Sequence, residues 1–335
     1  MYVALVITIE VYFVNMGGLS HSTRIFFSKN EKHNLMNKWE KSNINRWTPL
    51  YNHSWCYRVI KEYDNELNCM LSSNLYSSDY TYSHLKKDGA VWNSSAIDYM
   101  NGISNQKITI KQWSDAFNMF QNWMRLSFLL SICSYFENYM ASIIKECIES
   151  DPGIVFGLSH SIDGILLKKK KISIKKEVID QKIMLCTKGD WNSRIAQLKI
   201  LFGTLPESLS GSISDLENIR KIRNEMGHAF GRDIERSQNY ESFKASPMGK
   251  LSTKRFNKYR KLIMKIVQEL DLFFMEKHIG AFEPILHYHK IYDNVKILGK
   301  GEKMIELKKS LGGQVNTLIS KDQCRGIIKY YESLS

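Results

Sequence analysis

The run KQWSDAFNMFQNWMRLSFLLSICSYFENYMASIIKECIESDPG, residues 111–153, carries the strongest structural signal in the chain. Trp113, Phe117, Phe120, Met124, Leu130, Phe136, Tyr139, Ile143 and Cys147 recur mostly at spacings near three to four, the period of one helical face. Asp151, Pro152 and Gly153 stop the run, because proline lacks the N–H that a helix interior needs. The pattern predicts about 38 residues of helix, as one long element or two nearly collinear ones. A helix of that length implies a mainly α fold in which other helices pack along it.

Downstream, residues 160–182 read as a basic connector with a weak helix, and residues 191–202 as a further helix. A polar turn over residues 206–214 precedes the run SDLENIRKIRNEMGHAF, residues 214–230, where Ser214 and Glu217 fit a capping box. The chain is then polar to Gly249. Residues 252–278 form a long amphipathic helix whose apolar face holds Phe256, Tyr259, Ile263, Ile266, Val267, Leu270 and Phe274, and Gly280 ends it. A tail helix over residues 321–333 starts at a second capping box, Ser320 with Gln323. The main helices between residues 111 and 278 predict an up-down bundle. The expected division is an α or mixed extension over residues 1–105, a helical bundle over 106–290 and a small helical tail over 291–335.

The first 105 residues mix aromatic and polar types irregularly, which predicts short helices and a few strands. Trp47, Trp55 and Trp92 are the packing anchors, and SSNLYSSDYTYSH, residues 72–84, reads as a polar loop. Residues 2–15 are apolar but contain Glu10 and lack a basic leader, and they are too short to span a bilayer. They read as a buried strand, with Met16 as an alternative start.

Composition narrows the partners. The 335 residues carry a formal charge of +13, with 43% hydrophobic and 24% charged residues. That describes a globular protein with a bias toward RNA, DNA or an anionic membrane surface. The six cysteines form no CxxC pair, which fits reduced thiols and a cytoplasmic location. His278, His287 and His289 lack the spacing and acidic neighbour of a metal site, so no metal and no cofactor are expected. Gly299, Lys300 and Gly301 are too short a run for a phosphate loop, and no Ser or Thr follows the lysine.

The chemistry concentrates in residues 223–228. On a wheel advancing about 100° per residue, Leu216, Ile219, Ile222, Met226, Ala229 and Phe230 share one arc. Glu217, Arg220, Asn224 and His228 share the opposite arc, with Arg223 at the edge of the apolar stripe and Gly227 between Arg223 and His228. An imidazole can move a proton near neutral pH and a guanidinium can hold a phosphate whose charge is rising. Lys168, Lys169, Lys170 and Lys171, with Arg232 and Arg236, are candidate contacts to an RNA backbone.

Arg223-Asn224 followed by His228 resembles the signature of the HEPN superfamily of all-helical ribonucleases and nucleotide-binding domains. That signature is an Arg, commonly followed by Asn or another polar residue, and then a His after four to six residues. Residues 131–140, SICSYFENYM, look like the first bundle helix with its acidic residue, Glu137. GDWNSRIAQLKILFG and LENIRKIRNEMGH look like the later helices, so the resemblance covers roughly residues 112–285. It implies a homodimer whose Arg/His helices face a shared cleft, and metal-independent cleavage of RNA by attack of the 2′-hydroxyl. Arg223, His228 and Asn224 would be catalytic, with Glu137, Glu217 and Arg220 in support. A toxin-like or defence effector under a regulatory or antitoxin partner is the implied role. A non-catalytic RNA- or nucleotide-binding module in a regulatory complex is the alternative, and a structural interaction protein meeting an acidic partner is a third.

Overall fold

The computed structural model describes residues 43–100, 107–238, 244–316 and 318–335. The chain is mainly α, with twelve α-helices and no strand among the described residues. The buried strand expected over residues 2–15 lies outside them. The few strands expected elsewhere in residues 1–105 are absent from its described part, and among the described residues isolated bridges join only Ser95 to Thr109 and Arg232 to Met248.

The spine is one continuous helix, Ile110–Ser150 (called α2 below), of 41 residues. Thr109 and Gln112 close a capping box at its start: the Gln112 N–H donates to Thr109 Oγ1 at 3.2 Å, and the Thr109 N–H donates to Gln112 Oε1 at 2.9 Å. Leu129, Ile132, Cys133, Phe136, Ile143, Ile144, Cys147 and Ile148 are buried around much of its circumference, as expected of a helix with neighbours on several sides. Asp151 ends it, and a 3-10 turn, Pro152–Phe156, follows.

Ahead of it runs α1, Trp55–Lys87, with Ser54 as N-cap. The polar loop expected over residues 72–84 is therefore helix. Ser73, Ser77 and Thr81 donate their hydroxyls to the carbonyls of Cys69, Ser73 and Ser77, so these polar groups are satisfied inside the helix. Long-range packing then selects the helix. Gln121 Nε2 donates to Ser78 Oγ at 3.0 Å, and Tyr82 and Ser114 share a 3.0 Å hydrogen bond. Tyr63 stacks on Tyr135, so α1 runs antiparallel to α2. Trp47 and Trp55 are half-buried, but Trp92 is 58% exposed and anchors no core.

The basic connector resolves into α3, Gly164–Lys169, and α4, Lys176–Thr187. Then come α5, Trp191–Phe202, and α6, Glu207–Gly211, the latter a helical turn inside the expected polar turn. The Arg/His helix is α7, Ile213–Ala229. Its start is one residue earlier than expected and carries no side-chain cap, so the Ser214/Glu217 box does not form. Glu217 Oε1 instead accepts the Trp191 N–H at 2.5 Å and so caps α5. Phe230, with φ 56°, ends α7 in the left-handed region. After α8, Ile234–Gln238, the amphipathic helix α9 spans Thr253–Phe274 and runs into a π turn, Met275–Ile279. Trp123 stacks on Phe230 while Glu137 meets Arg223, which sets α7 antiparallel to α2. Arg125 bonds to Leu251 and Tyr139 to Val267, which sets α9 parallel to it. The long helices α1, α2, α7 and α9 thus alternate in direction.

Gly280, with φ 55°, turns the chain beneath residues 46 and 47, where a Cβ would stand 2.4 Å from the Arg46 carbonyl oxygen. Helices α10, Phe282–Val295, α11, Lys300–Val315, and α12, Lys321–Ser333, close the fold, and the Ser320/Gln323 capping box forms as expected. Tyr288 packs on Tyr292 and Tyr331, and Lys303 pairs with Glu332 at 2.7 Å. No helix among the described residues is long and apolar enough to cross a membrane.

Candidate functional site

Helix α7 lays its apolar residues Leu216, Ile219 and Met226 into the bundle. The opposite residues then face α5 or solvent. At the edge of the buried stripe, Arg223 Nη2 donates to Glu137 Oε2 at 3.3 Å, and Nη1 donates to Asn224 Oδ1 at 3.2 Å. Its Nε is buried and makes no hydrogen bond among the described residues. Glu137 also faces Arg194 at 3.9 Å and Lys188 at 3.8 Å. Glu217 holds Arg220 by two contacts of 2.7 and 2.8 Å. Four cations therefore meet two carboxylates where α2, α5 and α7 converge, leaving a positive excess.

Arg194 lies 4.7 Å from the Trp191 ring, and burial pulls its pKa below the ordinary value against the attraction of Glu137. Cys133 sits beneath the same ion pairs, but burial pushes its thiol up to about 12, so it offers no thiolate at neutral pH. His228 is exposed in the last turn of α7 and makes no side-chain hydrogen bond or ion pair among the described residues. A Cβ on Gly227 would meet nothing within 4 Å, so the surface between Arg223 and His228 is open. Arg223 finds its hydrogen-bond partners in Glu137 and Asn224, and none in His228. An open groove of about 510 Å³ runs past Arg220 and Asn224 toward α8, but Glu217, Glu225, Asp233 and Glu235 outnumber Arg220 and Lys221 along it. Its charge suits phosphate less well than the Glu137 side does.

The basic run divides. Lys168 pairs with Glu149 at 2.7 Å, and Lys169 donates to the carbonyls of Tyr331 and Leu334, so both hold the fold together. Lys170 and Lys171 are exposed. Glu149 lies about 18 Å along α2 from Glu137 at 1.5 Å rise per residue, so the run is not part of the Arg223 cluster. Arg232 is tied to Ser246 O at 2.9 Å and lies 5.8 Å from the Phe230 ring, whereas Arg236 is exposed.

His278, His287 and His289 each meet a different partner. His287 bonds to Ser310 and His289 to Tyr331, while His278 bonds to Asp151. His278 instead meets Asp151 and His160, a grouping that no local spacing announces. A second grouping was equally invisible in the sequence. Asp271 accepts from Ser54 and Tyr139, and Glu283 accepts the Trp55 N–H at 2.6 Å beside Glu146, so buried carboxyls anchor the start of α1. No family model, curated protein or solved structure matches the chain.

Proposed function

We propose that this chain is an endoribonuclease of the HEPN type that cleaves RNA without a metal ion. The observation that carries the reading is the pairing of Arg223 with Glu137 from another helix while His228, on the same helix, stays open to solvent. A guanidinium held by a carboxylate is oriented before substrate arrives, which favours stabilisation of a crowded phosphate. An exposed imidazole is free to exchange protons. In the proposed reaction the 2′-oxygen attacks the adjacent phosphorus and the bond to the 5′-oxygen breaks. One histidine takes the 2′-proton and another delivers a proton to the leaving oxygen, giving a 2′,3′-cyclic phosphate and a 5′-hydroxyl. Asn224 orients the phosphate or Arg223, and Glu217 with Arg220 supports the site.

One α7 offers one imidazole, so a homodimer placing two α7 helices across a two-fold axis would supply both base and acid. The net charge of +13 favours a polyanionic substrate. In the cell the proposed role is a cytoplasmic toxin-like or defence effector, held in check by a regulatory or antitoxin partner. A non-catalytic RNA- or nucleotide-binding module is the second reading, favoured by the lack of a hydrogen bond between Arg223 and His228 within one chain. Incubating total RNA with the protein in EDTA, wild type beside His228→Ala, separates them. Cleavage by the wild type alone supports the enzyme, and no cleavage by either supports the binding module.

A further inference from the structure

The C-terminal end of α2 and the π turn after α9 bring together ligating side chains that the RNA reading leaves unused. Asp151 is fully buried where α2 ends. Its Oδ1 accepts the His160 N–H at 2.9 Å, and its Oδ2 accepts from Ser159 Oγ at 2.7 Å. The same Oδ2 lies 3.1 Å from His278 Nδ1 and 3.9 Å from His160 Nε2. One ligating atom from each of Asp151, His160 and His278 stands within 4.8 Å of the other two. Ligands bonded tetrahedrally at about 2.0–2.2 Å stand about 3.3–3.6 Å apart, so the two separations bracket that value.

We propose that Asp151, His160 and His278 form a Zn²⁺ site that clasps the loop after α2 to the π turn of α9, with a fourth position open to solvent through His160. Three further features converge on it. His160 holds φ 62°, a left-handed conformation that costs a non-glycine residue about 1–3 kcal/mol and persists where the surroundings enforce it. Its ring stacks on Trp47 at 4.1 Å. His278 lies in a π-helical turn, a backbone insertion frequent at functional sites.

The third feature is the packing of His278 itself. Its ring is packed among Phe202, Phe273 and Phe274, and its Nε2 is buried with no hydrogen-bond partner among the described residues. Its Nδ1 faces Asp151 Oδ2 at 3.1 Å, a contact that a metal ion held by both groups would take over.

His160 Nε2 meets the Lys277 carbonyl at 2.6 Å, so it carries a proton in the free protein. On zinc binding that proton passes to Nδ1, and the ring, 42% exposed, turns from the carbonyl to the metal. Two imidazoles and one carboxylate favour zinc over magnesium or calcium. Arg46, the buried cation nearby, is already held by Asp163 at 3.1 Å and by Ser150. Asp151 lies about 21 Å along α2 from Glu137, so this zinc takes no part in the chemistry proposed for Arg223 and His228.

The test uses the full chain stripped with EDTA and dialysed, titrated calorimetrically with Zn²⁺ and spectroscopically with Co²⁺. The expected result is one metal per chain, the visible bands of four-coordinate Co²⁺, and a melting temperature raised by Zn²⁺. His160 is exposed, so His160→Ala should keep its far-UV circular dichroism. It should bind Zn²⁺ about 100-fold or more weakly, beyond the loss typical of a ligand's supporting contacts. His84→Ala, on the exposed face of α1, should bind as wild type. Absence of one-per-chain binding, or an affinity unchanged by His160→Ala, overturns the proposal and leaves Asp151 and His278 as a buried ion pair. None of these readouts depends on RNA cleavage.

Discussion

Arg223 on α7 donates to Glu137 on α2 across 3.3 Å, and this one contact joins residues 86 positions apart at the edge of the bundle core. The side chains are 31% and 22% exposed, so the pair is partly screened and adds little to stability. Its consequence is orientation, because it fixes the guanidinium beside the open end of α7.

Glu137→Gln should therefore separate orientation from stability. The expected loss of folding stability is within about 1 kcal/mol. The expected loss of RNA cleavage is about 100-fold, the scale of a small misplacement of a catalytic group. Cleavage rates beside urea denaturation check both, and equal activity in the variant would detach Glu137 from the site.

His228→Ala should leave stability within about 0.5 kcal/mol, since the ring is exposed and unpaired among the described residues. Cleavage should fall by about 100-fold to 10,000-fold, the range for loss of a general acid or base. A substrate with a single 2′-deoxy sugar at the cut should resist the wild type. Products bearing a 3′-hydroxyl would defeat the mechanism.

The carboxyls beneath α1 predict a pH-dependent stability. Burial raises the pKa of Glu146 to about 7 and that of Glu283 well above its ordinary value, and the two share a hydrogen bond. Both groups hold protons in the folded state that the unfolded chain releases near pH 4.5. The contribution of Glu146 is thus complete below about pH 4.5 and is lost as pH rises through about 7. The groups facing them are Cys56, Tyr51, Asp271 and Glu149, with Arg58 acting on Tyr51. Glu146→Gln should flatten the fall in melting temperature between pH 6 and pH 8, and an unchanged slope would place the proton elsewhere.

The lysine run should respond unevenly. Neutralising Lys170 and Lys171 should weaken RNA binding and reduce the salt slope by about 1.4, the value for two phosphate contacts on a single strand. Neutralising Lys168 and Lys169 should lower the melting temperature instead, since Glu149 and the backbone of α12 lose their partners. Binding titrations over a salt series read the first effect and thermal denaturation the second.

Helix positions were legible where their causes are local. Residues 191–202 and 321–333 match α5 and α12 because periodicity and an i, i+3 cap lie within a few residues of each other. The stretch over residues 72–84 misled because Ser and Tyr are common in loops, while its helical state rests on Ser78 and Tyr82 meeting Gln121 and Ser114. Glu217 misled for a related reason. Its spacing from Ser214 suits a local cap, yet the carboxylate accepts the Trp191 N–H at the N-terminus of α5.

The amino-acid sequence alone determined that the chain is mainly α, that a long helix ends at Asp151, and that Arg223, Asn224 and His228 share one helix, since each follows from hydrophobic period and stop residues a few positions apart. Tertiary structure decided which side chains meet. Arg223 finds Glu137, Glu146 finds Glu283, and Asp151 finds His160 and His278, across separations of up to 137 residues. Such pairings depend on how helices cross and rotate against one another, and local spacing carries no information about that.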